Sequence, residues 1–213
     1  MARVIVIGGH GKIALRLARI LSERGDEVSS VFRNSEHSDE VAGTGAKPVV
    51  ADIEQLDTNA LANLLTGHDA VVFSAGAGGG NPARTYAVDR DAAIRAIDAA
   101  GQAAVPRFVM VSYFGAGPEH GVPNDDPFFA YAEAKAAADA YLRSSELAWT
   151  VLGPGRLTLE PATGRIALEQ GKGEVSRADV ALVIAAALAD DSTIRRTIEF
   201  NNGDVPIAEA LAG

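Results

Sequence analysis

Cysteine is missing from this chain, and long apolar runs are missing as well. None of the 213 residues is a cysteine, which excludes a disulfide framework, thiol catalysis and any cysteine-ligated zinc or iron–sulfur centre. The longest apolar run covers the ten residues from Val180 to Ala189, about half of what a membrane-spanning helix requires. The first residues reach glycine after a short apolar stretch and lack the pattern of a signal peptide. We therefore expect a cytoplasmic protein.

Positive charge is also scarce. The chain has 19 Lys and Arg against 28 Asp and Glu, a net charge of -9, and such a surface repels nucleic-acid phosphates and anionic lipids. The four histidines show no metal-ligand spacing, and no carboxylate constellation joins them along the sequence, so no metal centre is expected. The composition favours a small-molecule substrate, with no nucleic-acid and no membrane partner.

Short β-rich runs alternate with longer alanine-rich stretches along the chain. This βαβα rhythm is typical of a parallel sheet covered by helices on both faces. Strands are expected at residues 3–7, 27–32, 48–51, 70–74, 107–112, 149–152 and 197–201. Helices are expected at residues 12–24, 57–65, 83–100, 128–144 and 177–189. No linker divides the chain, so we predict a single α/β domain over residues 1–213 with a doubly wound parallel sheet.

Two segments interrupt this rhythm. Residues 113–127 contain three prolines and three glycines with almost no periodicity, which predicts a loop. Residues 153–172 have a pattern compatible with a short hairpin. Both segments follow the carboxyl ends of predicted strands, where open α/β sheets bind their ligands, so we expect both to form walls of a substrate pocket.

The first predicted strand runs into a glycine-rich turn. Gly8, Gly11 and Ala14 have the spacing of a dinucleotide-binding fingerprint with alanine at its third position. Gly8 permits a tight turn, and Gly11 lets a backbone approach a pyrophosphate. The N–H groups around Lys12 and Ile13, at the start of the helix, would then face the anion. A plain glycine turn between strand and helix is the alternative, but its place after the first strand favours the binding interpretation.

The second predicted strand ends in arginine rather than in an acid. NAD sites usually place a carboxylate there, which accepts hydrogen bonds from the ribose hydroxyls. Arg33 stands at this position instead, and a guanidinium pairs with the oxygens of a 2′-phosphate. We therefore expect NADP(H), with NAD(H) less favoured; the alternative is a solvated surface arginine.

Two further strand ends fit a cofactor site. Asp52 and Ile53 follow the third strand, where the carboxylate could accept from an adenine amino group and the isoleucine could pack against the ring. A turn aspartate is the alternative for Asp52. Ser74, Ala75 and Gly76 end the fourth strand with small residues, which would allow a ribose to lie against the backbone.

Tyr131 and Lys135 lie four residues apart on a predicted helix, so both side chains share one face. Ser112 ends the preceding strand, and the three side chains could converge over a nicotinamide. Carbonyl reduction needs a proton on oxygen as hydride reaches carbon. A lysine ammonium at about 4 Å could lower the pKa of the tyrosine, since about 4 kcal/mol is available at an effective dielectric near 20. A helix-surface pair with a solvated lysine is the alternative.

Together, VIGGHGKIA, Arg33, Ser112, the Tyr131 and Lys135 pair and WTVLGPGRLT resemble the short-chain dehydrogenase/reductase superfamily. More narrowly, they look like its compact atypical branch of NmrA-like and epimerase/dehydratase-like NAD(P)-binding proteins. The resemblance implies a Rossmann fold with a small C-terminal extension, and NADP binding in many relatives. The cofactor-binding positions that it implies are Gly8, His10, Gly11, Lys12, Ile13, Arg33, Asp52, Ile53, Ser74, Ala75, Gly76, Lys135, Pro154 and Gly155.

The resemblance supports cofactor binding better than any single reaction. We expect an NADP(H)-dependent oxidoreductase acting on a small carbonyl, quinone-like or related substrate. Tyr131 would be the acid/base, Lys135 its electrostatic partner and Ser112 the group that orients the carbonyl oxygen. A non-catalytic NADP(H) sensor that contacts a protein partner is the main alternative. A sugar-nucleotide epimerase/dehydratase is the other, although that chemistry usually needs a larger C-terminal lobe.

Overall fold

The computed structural model describes residues 1–168 and 171–212. Its strands are β1 (Arg3–Ile7), β2 (Glu27–Phe32), β3 (Lys47–Val50), β4 (Ala70–Phe73), β5 (Arg107–Val111), β6 (Ala148–Pro154), β7 (Arg156–Thr158), β8 (Arg165–Leu168), β9 (Glu174–Ser176), β10 (Arg196–Asn202) and β11 (Val205–Pro206). Its α-helices are α1 (Lys12–Glu23), α2 (Ser38–Ala42), α3 (Thr58–Leu65), α4 (Pro82–Thr85), α5 (Ala93–Gln102), α6 (Phe129–Ser144), α7 (Arg177–Ala189) and α8 (Ile207–Leu211).

Most of these strands form one large sheet. Its nine strands lie in the order β11-β8-β10-β6-β5-β4-β1-β2-β3. Neighbours from β10 to β3 are all parallel, whereas β8 and β11 add an antiparallel edge. The chain builds outward from β1 to β3 and then returns to place β4 on the other side of β1. This reversal is the switch point at which such sheets bind nucleotides. The predicted α/β Rossmann fold is confirmed.

Helices pack on both faces of the sheet because each presents a side of small or apolar residues. One apolar cluster joins α1 and α7, where Leu17 and Ile184 are fully buried. The other joins α3, α5 and α6 through Leu61, Ile97 and Leu142. The central strand β4 is buried along its whole length, as expected for a parallel strand covered twice. The strand ends that carry the predicted site residues are therefore firmly positioned. No helix in the described ranges has the length and apolar character to cross a membrane.

The hairpin predicted within residues 153–172 is wrong. β7 pairs in parallel with β9, and β8 pairs antiparallel with β10. These partners lie well apart along the chain, so the local pattern does not show which strands will pair. Residues 169 and 170 of this segment lie outside the described residues. Residues 113–127 contain neither helix nor strand.

The helix predicted at residues 83–100 is divided into three segments. A π-helical segment, Tyr86–Ala92, joins α4 to α5. Such a widened turn shifts the following side chains around the helix axis and is frequent at functional sites. Here it carries Asp89, which accepts a hydrogen bond from the Ala77 N–H at 3.0 Å. The helix is thereby attached to the small-residue end of β4.

Candidate functional site

The turn between β1 and α1 can be made only by glycine. Gly8 has a φ of +88°, and a Cβ added there would lie 2.6 Å from the Ala75 backbone. A Cβ on Gly9 would lie 2.6 Å from the Ser30 Cβ. The N–H groups of Gly8 and Gly9 both donate to the Val31 carbonyl, at 3.0 and 2.7 Å. The turn is therefore fixed against β2 and β4 through its backbone.

The start of α1 is open to an anion. Gly11 is the N-cap residue, and no side chain caps the first N–H groups, which carry the positive end of the helix dipole. A Cβ on Gly11 would meet the Gly8 carbonyl oxygen at 3.1 Å, and Ala14 behind it is fully buried. The absence of side chains leaves a concavity lined by backbone, which fits the diphosphate of a dinucleotide.

A cavity of about 360 Å³ extends from this turn across the ends of β2, β3 and β4. Nine of the predicted cofactor positions line it: Gly8, His10, Gly11, Arg33, Asp52, Ile53, Ser74, Ala75 and Gly76. The structure does not bring the other predicted cofactor positions into this lining. Ile13 is buried in the core and the Lys12 side chain is exposed, so these two could reach a ligand here only through their backbone N–H groups.

Arg33 lies in this cavity beside a second arginine that the sequence did not indicate. Both Arg33 and Arg84 contact Oε1 of Glu54, at 3.2 and 3.0 Å. Arg84 is held in addition by the Ala77 carbonyl at 2.9 Å. Two guanidinium groups therefore share the Glu54 carboxylate, and Asp52 is a second acid in the lining of this cavity. The sequence offered no signal for Arg84, because α4 approaches the turn after β3 only in the folded chain.

Asp52 serves a turn. Its Oδ1 accepts a hydrogen bond from the Glu54 N–H at 3.0 Å. The alternative of a turn aspartate therefore agrees with the structure. The carboxylate also lines the cavity of about 360 Å³ at the glycine turn, which we call the nucleotide-sized cavity. Ile53 lies beside it and packs against the apolar cluster under the sheet.

The histidines are less scattered than the sequence indicated. His10 and His37 stack with ring centroids 3.6 Å apart, and His10 Nε2 lies 2.7 Å from Oε2 of Glu40. The expectation that no carboxylate joins the histidines is therefore wrong for this pair, because the turn after β2 folds back over the glycine turn. One ring nitrogen of each histidine and one carboxylate oxygen of Glu40 all lie within 4.8 Å of one another.

The other end of the site contains the predicted serine, tyrosine and lysine. Ser112 and Tyr131 line a larger cavity of about 900 Å³, whereas Lys135 lies behind them with 1% of its surface exposed. Its Nζ donates to the Val111 carbonyl at 2.7 Å. The alternative of a solvated surface lysine is therefore wrong.

The electrostatics of this group differ from the sequence expectation. Burial, together with the nearby carboxyl groups of Asp89 and Asp139, raises the pKa of Tyr131 rather than lowering it. Burial lowers the pKa of Lys135, against the opposing influence of the same two carboxyl groups. The lysine charge is directed to the Val111 carbonyl. The expected lowering of the tyrosine pKa by Lys135 is not found.

Asp89 and Asp139 are the site residues that sequence reasoning missed. They are 1% and 0% exposed, and burial raises the pKa of both carboxyl groups. Asp139 Oδ2 lies 2.5 Å from Ser112 Oγ, and its Oδ1 is buried without a hydrogen-bond partner among the described residues. Asp139 follows Lys135 by four residues on α6, so the helical spacing that indicated Tyr131 could also have indicated this acid.

The nucleotide-sized cavity and the larger cavity are connected. A third space lies between them, and it shares Gly76 with the first and Tyr131 and Phe128 with the second. A backbone turn at the switch point thus continues as one groove to a buried group of polar side chains. This arrangement is typical of a dinucleotide site that extends to a reaction centre.

Comparison with known proteins identifies the family. The sequence profile of the NAD(P)H-binding domain family matches residues 8–191. The chain belongs to this family. It lies within the compact branch related to the short-chain dehydrogenases/reductases and the NAD-dependent epimerases/dehydratases.

Relatives match over their full length. A Bacillus subtilis protein named as an uncharacterized sugar epimerase is 36% identical over 98% of each chain. A solved structure from Bacillus halodurans, a candidate NAD-dependent epimerase/dehydratase, has a TM-score of 0.91 and 34% identity, covering 100% of this chain and 99% of that one. The oxidoreductase ylbE from Lactococcus lactis has a TM-score of 0.88 and 29% identity over 99% of this chain and 95% of its own.

Pro154 and Gly155 lie at the reaction end of this NAD(P)-binding groove. Both line the larger cavity with Ser112 and Tyr131. A Cβ on Gly155 would lie 2.7 Å from the Gly173 carbonyl oxygen, so the close approach of the loop before β9 requires glycine at position 155. Nine of the predicted cofactor residues thus line the cavity at the glycine turn and two line the larger cavity, whereas Lys12, Ile13 and Lys135 line neither.

Proposed function

We propose that the protein is an NADP(H)-dependent oxidoreductase acting on a small carbonyl, quinone-like or related substrate. The observation that carries this proposal is the continuous groove from the glycine turn to the cavity lined by Ser112 and Tyr131. A sensor needs only the first part of such a groove. A polar group buried at the far end is what a reaction at the nicotinamide requires.

The arginines at the end of β2 support NADP(H) over NAD(H). The Glu54 carboxylate can balance only one of the two guanidinium groups that contact it. The second guanidinium can pair with a 2′-phosphate, and Arg33 is the more accessible partner because its side chain is 56% exposed. An NAD site would place an acid at the end of this strand.

The residues around the larger cavity support reduction of the substrate. A bound nicotinamide would supply hydride to the substrate carbon. Because its pKa is raised, Tyr131 keeps its proton at neutral pH and can donate it to an oxygen that gains negative charge. The Ser112 O–H donates to Oδ2 of the buried Asp139 at 2.5 Å, which fixes the Ser112 side chain beside Tyr131 in the cavity wall. Lys135 places its charge behind this pair.

Turnover of NADPH tests the proposal. We expect oxidation of NADPH in the presence of at least one member of a carbonyl and quinone panel. Tyr131→Phe should reduce kcat at least 100-fold and leave NADPH affinity within about twofold, because general acid catalysis contributes roughly 10²–10⁴-fold. Tyr141→Phe is the matched control, since its hydroxyl contacts Asp98 at the surface. Undiminished turnover in Tyr131→Phe would remove this residue from the mechanism.

Two observations support other candidates. Lys135, the expected electrostatic partner of Tyr131, donates instead to the Val111 carbonyl at 2.7 Å, which favours an NADP(H) sensor that carries out no reaction; tight NADPH binding without turnover on any substrate would support this function. The name of the Bacillus subtilis relative favours a sugar epimerase. Incubation with nucleotide sugars and separation of the epimers tests this second candidate.

A further inference from the structure

The larger cavity has a composition that indicates the kind of molecule it accepts. With a volume of about 900 Å³, it is large enough for a ligand of several fused or linked rings. It opens beside Ser112 and Tyr131, so a molecule bound in it lies next to the proposed reaction centre.

One wall of this cavity is aromatic. The rings of Tyr113 and Phe128 meet edge to face at 5.1 Å, and Tyr131 contacts both, at 5.6 and 5.1 Å. Phe128 is 43% exposed in spite of its size. An exposed aromatic group of this kind stabilises a flat apolar ligand through offset or edge-to-face contacts.

Positive charge gathers on another part of the wall. The cavity is lined by Arg156, Lys172 and Arg177, and Asp126 is the only acid among the described residues that line it. Counting full charges, 3 − 1 gives +2 for this lining in a chain whose net charge is -9. Such a local reversal of sign concentrates anions in the cavity.

The three cations are not equivalent. Arg156 forms an ion pair with Glu174, and Lys172 is exposed on the loop before β9. Arg177 is half-buried, and its Nη1 donates to the carbonyl oxygens of Leu157 and Thr158, at 3.1 and 3.0 Å. No carboxylate in the described ranges pairs with it. Its Nε and Nη2 donors therefore remain for a ligand.

Arg177 is also held firmly through its backbone. It is the first residue of α7, and the preceding Ser176 caps the helix by accepting from the Asp179 N–H at 2.9 Å. The buried Asp179 carboxylate accepts in turn from the Thr163 and Gly164 N–H groups. A guanidinium fixed at its backbone and at one nitrogen loses little side-chain entropy when it binds a carboxylate.

We propose that the larger cavity binds an aromatic carboxylate, with its rings against Tyr113, Phe128 and Tyr131 and its carboxylate paired with Arg177. The inference rests on the proposed function, because it names the substrate class of the same site. The carbonyl or quinone-like group of such a molecule would face Ser112 and Tyr131, and the carboxylate would set its orientation.

A pair of probes of equal shape tests the inference without turnover. 2-Naphthoate and 2-naphthamide differ in charge and little in size, and their affinities for the full chain can be measured by isothermal titration calorimetry. We expect 2-naphthoate to bind at least tenfold more tightly, since charge-assisted hydrogen bonds are about twice as strong as neutral ones. Arg177→Gln should remove this preference, and Arg177→Lys should retain part of it. Arg143→Gln, which changes the net charge equally outside the cavity, should preserve it.

Two results would overturn the inference. One is equal affinity of the wild-type protein for both probes, a measurement that does not depend on any variant folding. The other is an unchanged preference in an Arg177→Gln protein whose circular dichroism spectrum shows that it is folded. A preference for 2-naphthoate without NADPH turnover would support the carboxylate site and count against the reductase, so the two proposals fail separately.

Discussion

Arg33 is the residue on which the choice of coenzyme depends. Replacing it by aspartate removes one guanidinium and adds a second acid beside Glu54. We expect Arg33→Asp to weaken NADPH binding about 10- to 100-fold, because a hydrogen bond to a charged group contributes about 1.5–3 kcal/mol, while NADH binding improves or stays unchanged. Calorimetry with both coenzymes measures this. Arg19→Asp, on the exposed face of α1, is the control, and equal NADPH affinity in the two variants would contradict the assignment.

Asp139 should make stability depend on pH. Its pKa is raised in the folded protein by burial, so the folded state holds this proton above the pH at which the unfolded chain releases it. Stability is then lost as the pH rises above the ordinary carboxyl pKa of about 4.

The Asp139→Asn variant tests this sign. We expect its free energy of unfolding to rise relative to wild type between about pH 4 and pH 7, by on the order of 1 kcal/mol. Urea unfolding at several pH values provides the measurement. Asp98→Asn at the surface, where Asp98 accepts from Tyr141, should show no such trend, and parallel curves for wild type and Asp139→Asn would refute the argument.

At the scale of single residues, the sequence predicted which side chains carry chemistry better than it predicted how deeply they are buried. Ser112 and Tyr131 line one cavity and Lys135 lies buried behind them, while their joint catalytic role stays a prediction. Their pKa directions could not be predicted, because Asp89 and Asp139 affect Tyr131 only once β5 and the helices around it are packed. The helical spacing could have indicated the position of Asp139, but it could not show that its carboxyl group is buried.

At the scale of elements, the turn between β1 and α1 holds the site together. Gly8→Ala places a Cβ at a positive φ and within 2.6 Å of the Ala75 backbone. Gly78→Ala meets the same conformational strain, at φ +81°, with nothing within 4 Å. The pair separates strain from the steric clash with β4.

We expect Gly78→Ala to lower the free energy of unfolding by about 1–2 kcal/mol, the usual cost of the left-handed conformation. Gly8→Ala should cost at least about 1 kcal/mol more, because overpacking adds to the strain, and it should also lose NADPH binding. Urea unfolding and calorimetry measure the two effects. Equal destabilisation by both substitutions would show that the close approach of Gly8 to β4 is unimportant.

Elements with local patterns were predicted well, and elements with distant partners were not. The strands β1, β4 and β5 read as apolar runs because both of their faces are covered. β7 and β9 are three residues each and pair with each other across a long connection, so no local period marks them. The π-helical segment was also missed, since its apolar positions differ little from those of an α-helix.

For the whole molecule, the account depends on one charge distribution. A chain of net charge -9 places arginines at the two ends of a single groove, Arg33 at one end and Arg177 at the other. The composition alone indicated an acidic protein with small-molecule partners, and the folded chain shows where an anionic molecule can enter. The two arginines come from different parts of the topology, because Arg33 follows β2 of the large sheet, whereas Arg177 begins α7 after β9 of the two-stranded sheet.

Calorimetric titration of the wild-type protein with NADPH tests the central claim most directly. The account predicts one binding site per chain, with an accompanying rise in the thermal unfolding midpoint, because a ligand that binds only the folded state stabilises it. Absence of both heat and a thermal shift with saturating NADPH, and with NADH under the same conditions, would contradict it.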